Sequence, residues 1–172
     1  MTCNHHPDDN FTRIPLNEMY YKDIMRKIVP GWLPHKDYSH LIKSVTYKGN
    51  VGNTLRFFVP NKYNGWYTYV RFVEWDDQVL DLNINPVEAA RLLLWGANLK
   101  LHCTCPAHLF WGYQYIQTQY DAAIVPEMRP PVNRNPTQKG FVCKHQKRCL
   151  SVMPWYLGDM ASAIKKQRSQ LK

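Results

Sequence analysis

The apolar pattern begins at helical spacing and then alternates. Between Asn17 and Ile28 the residues Met19, Tyr20, Ile24, Met25 and Ile28 predict a short amphipathic helix that ends before Pro30-Gly31. From Ser44 the period shortens: Ser44 to Lys48 and Val51 to Val59 read as two strands of a hairpin, turning at Lys48-Gly49-Asn50. Turn residues at Pro60-Asn61-Lys62 and Asn64-Gly65 precede a third strand, Trp66 to Trp75, rich in aromatic and β-branched side chains. Asp76-Asp77 turns the chain into Val79 to Ile84, which reads as a short fourth strand. Successive strands joined by short turns imply an antiparallel sheet.

Asn85-Pro86-Val87-Glu88 marks a helix start, with a capping residue, proline at the first helical position and an acid in the first turn. The helix runs to Trp95 and Gly96 ends it; its apolar run Leu92 to Trp95 predicts burial on all sides. Asn98 to Thr104 alternates again, turning Leu99, Leu101 and Cys103 to one face. Ala107 to Ala122 carries Phe110, Trp111, Tyr113, Tyr115, Ile116 and Tyr120 over a helical length, read as core or interface under a binding loop. Residues 126–140 contain Pro126, Pro130, Pro131, Pro136 and Gly140, which predicts an extended, exposed loop. Gln146 to Val152 is helical, Pro154 interrupts, and Trp155 to Lys166 forms a last helix whose basic end, 165–172, is expected to fray in isolation unless it is held by a neighbour or docked on its own domain. The fold class is therefore α+β: an N-terminal antiparallel sheet, then a strand-plus-helices region. Its expected divisions are an arm at 1–15, a helix-plus-sheet region at 16–98 and a third region at 99–172, sharing one domain of 172 residues.

Composition narrows the classes. Hydrophobic residues make up 45% and aromatics 13%, so a wholly disordered chain is excluded. No apolar run is long enough to span a bilayer, and Met1 to Asn10 is too polar for a signal peptide; the expectation is no membrane partner, no export and synthesis in a reducing cytoplasm. Five cysteines, an odd number in a chain too large to need staples, favour metal over disulfides. The net charge of +9 suggests a polyanion or an acidic protein surface as partner. Candidate contacts for such a partner are Arg129 and Arg134 in the proline loop, Lys144, Lys147 and Arg148 after Cys143, and Lys165, Lys166 and Arg168 near the end.

Four of the cysteines fall between His102 and Cys149. His102-Cys103-Thr104-Cys105-Pro106 opens this stretch and Cys143-Lys144-His145 closes it, with 37 residues between Cys105 and Cys143. On an extended segment Cys103 and Cys105 leave the same face, and Cys143 with His145 can converge where a loop enters a helix. Three thiolates and one imidazole make a closed tetrahedral set, the donor composition of structural zinc. His102, His108 and Cys149 stand close enough in sequence to substitute, and are read as packing or as residues behind the ligands.

The frame Cys-x-Cys on a strand followed by Cys-x-His at a helix start, with Pro106 after the second cysteine and Lys144 inside the second pair, resembles the SWIM-type zinc finger over roughly residues 99–152. That resemblance implies Zn2+ held by Cys103, Cys105, Cys143 and His145, in a module class that binds DNA or protein. The text Cys105-Pro-Ala-His-Leu-Phe-Trp-Gly-Tyr-Gln-Tyr, with Arg134-Asn135-Pro136 and Cys143-Lys-His, is also similar to small virion proteins of large tailed bacteriophages. It implies a zinc-stabilised virion component that docks onto other protein subunits. A SWIM-type nucleic-acid-binding module is the alternative, and a thiol or zinc enzyme a second one. Catalysis is not expected: neither His-Glu-x-x-His nor a His-x-Glu with Pro-Cys-x-x-Cys is present, and there is no glycine-rich phosphate loop.

Overall fold

The computed structural model describes residues 38–171; the predicted arm and the helix at Asn17 to Ile28 lie outside them. The alternating segments fold as four strands, β1 (Thr46–Val51), β2 (Thr54–Pro60), β3 (Gly65–Phe72) and β4 (Leu99–Cys103), in the order β1-β2-β3-β4 with every neighbour antiparallel. The period of two divides the sheet into unlike faces. Leu55, Phe57 and Val59 on β2, Val70 and Phe72 on β3, and Leu99 and Leu101 on β4 are buried. Arg56, Phe58, Tyr69 and Arg71 on the opposite face stay partly open.

Helices cover the buried face. α1 (Trp75–Leu80) follows β3 directly, and α2 (Pro86–Gly96) delivers the chain into β4. α5 (Lys144–Val152) packs against β3 and β4, and after a single 3-10 turn at Met153–Tyr156 the last helix, α6 (Leu157–Ser169), lies along α2. One core runs from Leu55 to Ile164, so residues on both sides of position 98 share it. Among the described residues no helix is long and apolar enough to cross a membrane.

The fold corrects several expectations. There is no strand at Val79 to Ile84, and β3 ends at Phe72 instead of Trp75. Glu74, Asp76 and Asp77 place acids at a helix start, where the peptide dipoles favour them, and Trp75 and Val79, four apart, both turn into the core. The fourth strand is instead β4, brought beside β3 by α2. Asn85 caps α2 as expected, accepting from the Val87 and Glu88 N–H groups at 3.0 Å each. That helix buries Ala89, Ala90, Leu93 and Leu94 but leaves Leu92 and Trp95 about half exposed, so its apolar run is not enclosed on all sides.

The basic end of α6 is tied down rather than frayed through Ser169. Trp75 Nε1 donates to Gln167 Oε1 at 2.8 Å. The Arg168 guanidinium donates to the carbonyls of Gln78, Val79, Asp81 and Ile84 at 2.6–3.1 Å, closing the end of α1.

Candidate metal centre

Cys103 is the last residue of β4 and faces the helices, opposite Thr68 of β3. Thr104 fixes the strand end: its N–H donates to Tyr67 O at 3.0 Å, and its Oγ1 accepts from the Tyr67 N–H at 3.0 Å. Cys105 remains extended and caps a short helix, α3 (Pro106–Phe110), whose first residue is a proline. Thirty-seven residues later Cys143 caps α5 and His145 follows in its first turn. The sequence there carries a capping box with cysteine as the cap. The Gln146 N–H donates to Cys143 Sγ at 3.5 Å, and the Cys143 N–H donates to Gln146 Oε1 at 3.0 Å.

These two approaches bring the four side chains together. All four are buried, and one donor atom from each lies within 4.8 Å of all the others. Zinc–sulfur bonds of about 2.3 Å at tetrahedral angles set sulfur–sulfur edges of roughly 3.8 Å, so the cluster has the size of a four-coordinate site. His145 keeps a buried Nδ1 without a hydrogen-bond partner. Thr68 Oγ1 donates toward Cys103 Sγ at 3.6 Å.

The electrostatics set the three thiols apart. Hydrogen bonds from the Cys103 and Cys143 thiols, with the His145 ring beside them, pull the Cys105 thiol far below its ordinary value. Burial pushes Cys103 and Cys143 far up. A divalent cation held among the sulfurs would favour the thiolate form of each.

The alternatives to these ligands fall elsewhere. His108 is fully buried, donates from its Nε2–H to Gln117 Oε1 at 3.0 Å, and is pushed down to about 4 by burial. His102 leaves β4 on the face away from Cys103 and meets His108 edge to face, 5.2 Å between ring centres. Cys149 sits in the main core, its thiol raised to about 12 by burial.

Three further residues support the site. Gln117, fully buried, donates from Nε2 to Phe141 O at 2.8 Å and to Gln146 Oε1 at 3.1 Å, linking His108 to the Cys143 cap. Asn135, also buried, donates to the carbonyls of Trp111 and Lys139 at 3.0 and 2.8 Å and accepts from the Lys139 N–H at 2.9 Å. Gln146 completes the cap. The Cys143-x-x-Gln146 spacing was visible in the sequence; the reach of Gln117 to Phe141 and Gln146 and of Asn135 to Trp111 was not, because these partners lie 24 or more residues away.

The aromatic segment is broken, not continuous. Gly112 has φ +74°, and a Cβ there would collide with the Pro131 ring, so α3 ends and α4 (Tyr113–Gln119) starts anew. Tyr113, with the half-buried Trp66 and Trp111, packs around the three sulfurs. Phe110 is 61% exposed and takes no part in this wall. After α4, Ala122 to Ile124 runs parallel beside β4, bonding both polar groups of the Leu101 backbone. The loop at 126–140 has no helix or strand, as its prolines predict, but Asn135 and Gly140 are buried anchors within it.

The basic candidates are spread over three elements. Arg129 pairs with Glu127 at 2.7 Å in the loop, where Arg134 is exposed. On α5, Lys144 is exposed while Lys147 and Arg148 are half-buried. On α6, Lys165 and Lys166 are exposed, and Arg168 uses its donors within the fold. No known protein family, curated protein or solved structure matches the chain.

Proposed function

We propose that Cys103, Cys105, Cys143 and His145 hold a structural Zn2+ and that the chain is a zinc-stapled, non-catalytic binding subunit. The observation that carries this reading is the closed donor set: three sulfurs and one imidazole, all buried and all within 4.8 Å. Soft thiolates select zinc among the common divalent ions, and a site filled by four protein donors has no position for a reacting water. When bound, the ion joins the end of β4 to the start of α5 and closes the 37-residue excursion between them. In the setting implied by the phage virion resemblance, the subunit docks onto other proteins of a particle, and the staple keeps its surfaces in shape.

Thiol chemistry is the competing reading, favoured by the lowered Cys105 thiol beside His145. Its weakness is access, since Cys105 is only 2% exposed. Elemental analysis of the purified chain, before and after chelation and coupled to melting curves, separates the two. One tightly held zinc per chain, whose removal lowers the melting temperature, is expected. Metal-free protein that melts unchanged and is alkylated rapidly at a single cysteine would replace the staple with the thiol reading.

A further inference from the structure

The face of the sheet turned away from the main core carries a feature that the metal centre does not explain. Phe58 of β2, Tyr67 and Tyr69 of β3 and His102 of β4 form one continuous row of rings across three strands. Their centres are 5.2 Å apart from Phe58 to Tyr67, 6.3 Å from Tyr67 to Tyr69 in a stacked pair, and 5.9 Å from Tyr69 to His102. The register explains the row: Phe58 stands opposite Tyr67, and Tyr69 opposite His102. Tyr67 is 41% exposed.

Cations flank the rings on the same face. Arg56 stands opposite Tyr69 and Arg71 opposite Lys100, while Lys48 Nζ sits over the Phe58 ring at 5.8 Å. Arg56 donates to Lys48 O and Arg71 to Thr54 Oγ1, which holds both guanidinium groups along the sheet. Lys100 meets Asp121 at 2.6 Å. Between residues 38 and 73 the sequence has Lys43, Lys48, Arg56, Lys62 and Arg71 but no Asp or Glu. The segment that builds three of the four strands is therefore purely basic.

We propose that this face binds single-stranded nucleic acid. Rings in a row on an open sheet offer stacking planes for successive bases, and the cations beside them meet the phosphates. Duplex DNA fits less well, because its bases are already stacked and only the charges would contribute. This assignment goes beyond the zinc reading and uses none of the four metal ligands.

The test is fluorescence anisotropy of the full chain with a labelled 12-nucleotide oligothymidylate across a salt series, with the matching duplex as competitor. Binding to the single strand is expected, weakening as salt rises. Tyr67→Ala and Tyr69→Ala should each weaken it about tenfold, whereas Tyr67→Phe keeps the ring and should bind as the parent does. Lys48→Ala should lower the salt slope by roughly 0.7 if it contacts one phosphate. A Lys165→Ala/Lys166→Ala variant, altered on the helical side, should bind normally. Zinc content and melting temperature are followed for every variant, so that a folding defect is not counted as lost binding. No binding at low salt, equal affinity for duplex, or loss only in the Lys165/Lys166 variant would overturn the proposal. So would a concentration-dependent dimer abolished by Tyr67→Ala, which would make the face a contact between copies of the chain.

Discussion

The core between sheet and helices and the pocket around the three sulfurs are both buried, yet they are held together differently. The core joins two dozen apolar side chains from strands β2, β3 and β4, from helices α1, α2, α4, α5 and α6, and from the segments between them. Each contributes by leaving water, and no single one decides the arrangement. Around the sulfurs, among the described residues, Tyr113, Trp66, Ala107 and Trp111 supply the apolar cover. Shape there depends on directional groups: a cysteine-capped helix, two buried amides and four donors aimed at one point. A region built mainly from directional contacts has little to fall back on when one is removed, so an ion held there would carry a larger share of its stability than any side chain carries in the core.

The widest separation between the two regions is expected from a pair of substitutions. Cys143→Ser removes a ligand and the sulfur of the α5 cap together; zinc content should fall to near zero and the melting temperature should drop further than for any other change considered. Structural zinc in small peptides supplies about 10–16 kcal/mol of apparent folding energy, and a fraction of that would be decisive in a domain of ordinary stability. Leu93→Ala, fully inside the core, should cost about 2–5 kcal/mol and leave one zinc per folded chain. Elemental analysis beside thermal melts reads both quantities. Zinc retained in Cys143→Ser, or lost in Leu93→Ala, would show that the two regions are not separable in this way.

How far each region was legible in the sequence follows the same division. Alternation placed β2 and β4 closely and turned Cys103 inward, because period two is local information; the turn read at Lys48-Gly49-Asn50 instead lies within β1, which runs Thr46–Val51 and turns at Gly52-Asn53. The ligand set was legible for the same reason: each pair is two residues apart, and the elements around it fix its direction. Val79 misled because an apolar position four residues after Trp75 serves a helix as well as the start of a strand, and the acids at 74, 76 and 77 decided between them. The break at Gly112 depends on Pro131, and the anchoring of the last helix on Arg168 reaching α1, 84–90 residues away. Local pattern contains neither. Glutamine at position 117 likewise reads as a polar helix residue until Phe141 and Gln146 are folded against it.

Gln117 gives an intermediate test, since it belongs to the pocket without touching a ligand. Gln117→Leu keeps the bulk but removes one hydrogen bond each from the Phe141 carbonyl, the Gln146 amide and the His108 ring in a dry environment. The expected cost is about 2–4 kcal/mol, from these three lost hydrogen bonds. Because Gln146 also holds the Cys143 N–H, zinc affinity should weaken about 10–100-fold, as for other residues that orient ligands from behind. Competition with a chelator of known affinity measures this directly. Unchanged affinity with lowered stability would place Gln117 in the core's class.

The smallest effect is expected at Gly112, where the loop rather than the ligands is disturbed. Alanine there must adopt φ +74° and push against the Pro131 ring, for a cost of about 1–2 kcal/mol from the left-handed backbone alone. Pro131 lies in the proline loop and can move away, which relieves the contact by lifting the loop off α4. Arg134 and Lys139 flank the Asn135 anchor on that loop, so Gly112→Ala should speed tryptic cleavage after them severalfold while the zinc stays bound. That outcome would mean the metal fixes the two ends of the excursion and Gly112 with Asn135 fixes its middle. If zinc were lost together with the loop, the excursion and the ligands would be one cooperative unit, and the boundary between the pocket and its loop would have to be drawn outside residue 140.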